Sequence, residues 1–198
     1  MPLYEKIARE VLEDKYVSLR MQGHFKIEED LENDITKIHC AVAMTGSHDK
    51  NTMIIEGKGK GPVDAFFKSI RKELSGEYTS LNTFRFKEFS AAAELNERNT
   101  RASGSSATVE IAFVVQNGRG EDLIFRGKST SMNKASVKSV LKAVEYFVNI
   151  EKAVRLLHAA IKDAKERNRG DLVGVYTLKL AELVNTTSYE KILKEEGE

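Results

Sequence analysis

Gly57, Gly59 and Gly61 stand at alternate positions and run directly into Pro62, Val63 and Asp64. Proline suits the first turn of a helix, where its missing N–H costs nothing. The free amides of a helix start point outward with partial positive charge and can receive an anion. Glycine lets a ligand or a second chain approach the backbone closely. These residues alone leave two readings open: an anion or backbone contact site, or a tight strand-to-helix turn with no ligand. The spacing of a phosphate-binding G-x-x-x-x-G-K-[ST] loop is absent. Other chemistry is sparse. His24, His39, His48 and His158 form no H-x-H or H-E-x-x-H pair, and the single cysteine excludes C-x-x-C, so neither a metal site nor a cofactor is expected. Cys40 lies in an apolar alternating run and reads as a small core residue rather than a nucleophile. Gly118-Arg119-Gly120 reads as a hairpin turn. No catalytic residue is assigned.

The elements that must position the glycine–proline turn follow from periodicity. Leu3, Ile7, Val11 and Leu12 predict a short helix over 3–14. Alternation predicts a strand over 16–27, then an acidic loop over 28–34. Ile38, Cys40, Val42 and Met44 share one parity and predict a strand over 35–44, paired as a hairpin with another over 52–57. Val63, Phe66, Phe67, Ile70 and Leu74 recur at helical spacing and stop before Gly76. A strand is expected over 79–90, and a small-residue connection over 91–106 with a helical turn near 91–95. Strands follow over 107–116 and 122–129, then a long helix over 132–167. Asp171 can cap a last long helix. The order is strands then helix, twice, which argues α+β with antiparallel pairing in two related strand-strand-helix units, and extra C-terminal helices.

Thirty-one basic and thirty acidic residues give a formal charge of +1, so bulk electrostatics offers nucleic acid no attraction. Lys58, Lys60, Lys68, Arg71 and Lys72 cluster, but without interleaved aromatic rings they read as a solvated helix face. No apolar run reaches membrane-spanning length, and no signal peptide is visible at the N-terminus. One cysteine fits a reducing, cytoplasmic setting.

Gly57-Lys58-Gly59-Lys60-Gly61-Pro62-Val63-Asp64-Ala65-Phe66-Phe67-Lys68-Ser69-Ile70 resembles the G-x-G-x-G-P-V-D-A-x-x-x-A-I signature of the C-terminal regulatory domain of 2-isopropylmalate and citramalate synthases. Ser103-Gly104-Ser105-Ser106-Ala107 resembles its G-T-D-A segment, with serine in place of aspartate. Gly127-Lys128-Ser129-Thr130-Ser131, followed by Ala135-Ser136, resembles the start of its second helix, where Ser131 replaces an aspartate. The resemblance implies two pseudo-symmetric strand-and-helix units, a homodimer, and feedback binding of leucine or isoleucine near the dimer interface. It places the effector against Gly59, Gly61, Pro62, Val63, Asp64, Ala65, Ser106 and Ala107. Amides from Gly61 to Ala65 would take its carboxylate, and Asp64 its ammonium. Catalysis in such enzymes belongs to a metal-dependent barrel that joins acetyl-CoA to a 2-oxo acid. A barrel of about 250 residues does not fit in this chain. The expected division is an N-terminal helix and strand over 1–30, a regulatory domain over 31–150 and a helical extension over 151–198. The alternative is a scaffolding dimer of the same fold that has lost its pocket.

Overall fold

The computed structural model describes residues 3–46, 51–94 and 107–185. Helix α1 (Leu3–Leu12) and a 3-10 turn lead into strands β1 (Ser18–Asp30), β2 (Ile35–Thr45) and β3 (Asn51–Gly59), then helix α2 (Pro62–Leu74). A second 3-10 turn (Thr79–Asn82) precedes β4 (Arg85–Glu94), β5 (Thr108–Gln116) and β6 (Asp122–Ser129). Helices α3 (Met132–Glu166) and α4 (Gly170–Asn185) follow. The fold is α+β, with two antiparallel three-stranded sheets ordered β1-β2-β3 and β4-β5-β6. Each unit is therefore strand-strand-strand-helix, one strand richer than the expected repeat.

The two units match in register. Met21 pairs with Val42, which pairs with Met53; Phe86 pairs with Val115, which pairs with Leu123. Lys26, His39 and Glu56 form a row in the first sheet, and Ser90, Ala112 and Arg126 form the same row in the second. Both rows place β6 seventy positions after β3. The same offset relates Gly57 to Gly127, Ala65 to Ala135 and Ser69 to Ser139. A Cβ on Gly57 would meet Ser69 Oγ at 1.8 Å, and one on Gly127 would meet the Ala135 oxygen at 2.0 Å. Glycine at these two places lets each helix lie flat on its own sheet.

Alternation dictates β2: Thr36, Ile38, Cys40, Val42 and Met44 are buried and Lys37 and His39 are exposed. In β5 every residue from Ile111 to Val115 is buried. A chain of rings joins the units. Phe67 of α2 meets Phe113 of β5 at 5.4 Å, and Phe84 stacks on Phe147 of α3 at 4.0 Å and 8°. Polar side chains on α3 hold the segments that lead into β1 and β4. Asn149 accepts from the Val17 amide at 2.7 Å and donates to the Val17 oxygen at 2.8 Å. Glu145 accepts from the Leu19 amide. The carboxylate of Glu151, fully buried, accepts from the amides of Thr79 and Ser80 and from Arg155.

Several boundaries differ from expectation. The acidic segment 28–34 is strand as far as Asp30, because its side chains stand in water while its backbone completes the ladder to Ile35. Residues 79–82 are a 3-10 turn rather than strand, since Glu151 captures their amides. The helical turn expected near 91–95 is strand over 91–94, where Ala91, Ala92 and Ala93 pair with β5. Helix α3 runs unbroken through residue 150, about 52 Å in all. Helix α4 starts at Gly170, so Asp171 sits inside its first turn and pairs with Arg169 at 2.8 Å instead of capping.

Candidate functional site

The turn between β3 and α2 is fixed by three local features. Gly61 has φ 86° and ψ 162°, a region essentially reserved for glycine. Pro62 then opens the helix, and the Ala65 amide donates to the Gly61 oxygen at 3.1 Å. One oxygen of Asp64, Oδ2, accepts from the Lys60 amide at 2.8 Å and from Lys68 Nζ at 2.7 Å. The amides of Val63 and Asp64 occupy first-turn positions for which a helix supplies no carbonyl.

Facing this turn is a groove of about 270 Å³. Lys60, Gly61, Pro62, Val63 and Asp64 line it from the turn and helix start, Phe67 from one turn further along α2, and Phe86, Phe89 and Phe113 from the second sheet. Phe86 stacks on Phe113 at 5.3 Å. Phe89 lies three positions after Phe86, a spacing that strict alternation would send to opposite faces. A register shift between Phe86 and Glu88 inserts an extra residue and returns both rings to one face. The groove therefore has a polar lip of backbone and carboxylate and an aromatic floor, an arrangement suited to a small ligand with a charged head and an apolar tail.

Gly61, Pro62, Val63 and Asp64 of the sequence-derived set line this groove. Gly59 and Ala65 support it from behind. A Cβ on Gly59 would lie 2.4 Å from the Ala65 nitrogen, and Ala65 is fully buried. Ala107 stands just before β5, six residues from Phe113, about 20 Å along an extended strand. It is not among the lining residues. Ser106, like the rest of 95–106, lies outside the described residues. The aromatic wall is what sequence reasoning missed. Phe84 and Phe86 share one parity of the strand expected over 79–90, but nothing in the spacing announces the bulge that adds Phe89.

Cys40 is buried, and burial pushes its thiol up to about 11, which suits a core residue and not a nucleophile. Among the described residues no group of three His, Cys, Asp or Glu side chains is placed to hold a metal, and no helix is long and apolar enough to cross a membrane.

Residues 5–148 match the family described as the LeuA allosteric (dimerisation) domain. The chain belongs to that family. The LeuA match covers most of α1, both sheets, α2 and the first half of α3. The second half of α3 and α4 lie beyond it. A protein named probable 2-isopropylmalate synthase, from Archaeoglobus fulgidus, is 28% identical over 120 residues, which cover 61% of this chain and 21% of that protein. The match thus spans about a fifth of that relative's length.

Proposed function

We propose that this LeuA domain is a feedback sensor with no chemistry of its own, which binds leucine or isoleucine in the groove at the start of α2 and works as a homodimer beside a separate catalytic barrel. The observation that supports this most directly is the pairing of the glycine–proline turn with four phenylalanines in one groove. The effector's carboxylate meets the Val63 and Asp64 amides. Its ammonium meets Asp64 Oδ1, since Oδ2 is already engaged. The branched side chain lies on Phe86, Phe89 and Phe113. A pocket that measures methylene groups separates such ligands by only about 1–3 kcal/mol, so leucine and isoleucine compete closely. Control of a catalytic partner then requires that the effector bind two states of the dimer unequally.

The test is a thermal-shift scan against each standard amino acid at millimolar concentration. A ligand at a hundred times its dissociation constant adds about 2.7 kcal/mol, which moves the midpoint by several degrees. The expected result is a selective shift with leucine or isoleucine that is reduced in Phe86→Ala, a change at a 45% exposed ring. The engagement of Asp64 Oδ2 favours a second reading, a dimerising scaffold that no longer binds an effector. Absence of a shift with every amino acid supports that reading.

A further inference from the structure

The pseudo-symmetry creates a second groove, whose lining carries cations and no carboxylate. The start of α2 faces β4 of the second sheet; the start of α3 faces β1 of the first. By the ladder rows, Met21 occupies the place of Phe86 and Phe25 that of Phe89. Both line the second groove, together with Leu19, Val137 and Leu141, and its volume is about 650 Å³. The apolar floor is thus retained while the space more than doubles.

At the helix start the charge is reversed. Asp64 of the first groove corresponds to Lys134 in the second, seventy residues on. Lys138 repeats Lys68, and Arg20 stands opposite on β1. No carboxylate is among the lining residues. Lys138 Nζ donates to the Lys128 oxygen, which holds its charge at the wall. Arg20 and Lys134 have no ion-pair partner among the described residues, although opposite charges on neighbouring strands are paired, as Glu110 is with Arg126 and Lys128. Three uncompensated cations around an apolar floor repel an ammonium group and attract a carboxylate.

We propose that this groove is a second ligand site, which takes an organic carboxylate with an aliphatic body and no ammonium group. The site does not depend on the first groove binding an amino acid, and the experiment separates the two. The probe is 4-methylpentanoate, which is leucine without its amino group, titrated into the full chain while backbone amide shifts are followed by NMR. Saturable shifts are expected at Gly23, Asn133 and Lys134. Affinity should fall about tenfold in the double variant Arg20→Gln, Lys134→Gln, the summed effect of two exposed charge contacts, and both positions are exposed enough for the fold to persist. Phe86→Ala should leave this affinity unchanged. The proposal is overturned if 4-methylpentanoate does not saturate, if the double variant binds it as well as the parent, or if the shifts map to Val63 and Asp64. It is also overturned if inorganic phosphate displaces the probe as well as unlabelled probe does, because the apolar floor would then contribute nothing.

Discussion

Gly59 and Gly61 are two residues apart, yet their substitution should fail for different reasons. At Gly59 an added methyl meets backbone, 2.4 Å from the Ala65 nitrogen and 2.7 Å from its Cα, so α2 must shift. At Gly61 nothing lies within 4 Å of the added methyl, and the cost is conformational, set by φ 86°. Gly61→Ala should therefore lose about 1–3 kcal/mol, the usual cost of such backbone strain. Gly59→Ala should lose more, and denaturant unfolding of the two variants checks the order. Glu145 gives a second residue-scale prediction. Burial raises its carboxyl above the usual range, with the Leu19 amide and the Arg9 and Lys142 charges acting against that rise. A raised folded value means the native state holds its proton more tightly than the unfolded state. Stability from this group is complete below the unfolded value and is lost as pH climbs through the folded one. Glu145→Gln keeps an acceptor for Leu19 and removes the titration. Its melting temperature should match the parent near pH 4 and exceed it at pH 7. The glycine–proline turn was legible at this scale because residue type alone carries it. The role of Glu145 was not, because it depends on a strand that lies 126 residues away in sequence.

At the scale of elements, periodicity located both long helices and the strand pair β2–β3, where one buried face imposes a clean alternation. It failed where a tertiary partner or a backbone irregularity decides the outcome. The amides of 79–82 turn because Glu151 accepts them, and Phe89 joins the groove because β4 bulges. Ser106 and Ala107 came from the family resemblance alone; Ala107 is not among the groove-lining residues, and Ser106 lies outside those described. Glu151 also yields a prediction. Its carboxylate is fully buried and satisfied by two backbone amides, a hydroxyl and Arg155. Glu151→Ala removes the buried half of an ion pair whose arginine is 40% exposed, and leaves two amides without their acceptor. A loss of about 2–6 kcal/mol, about 1–3 for each unmet amide, is expected in denaturant unfolding. Hydrogen exchange should quicken first at Thr79 and Ser80.

For the whole molecule, the ring chain from Phe113 through Phe67 and Phe84 to Phe147 makes one core of two units. The internal repeat therefore does not imply separable modules. Phe84→Ala should cost about 3–5 kcal/mol. Circular dichroism and tyrosine fluorescence should still report one coincident transition, as expected when neither unit has a core of its own. Two separate transitions would show that each unit is stable alone.

The clasp between Val17 and Asn149 spans 132 positions of sequence. A ribosome adds roughly 5–20 residues each second, so about 7–26 s pass between synthesis of the two partners. During that interval β1 can pair with β2, but its outer edge waits without the helix that will secure it. Birth order thus makes β1, synthesised before the other five described strands, among the last of them to be locked in place, and a nascent chain halted before residue 149 would carry that edge open to its neighbours.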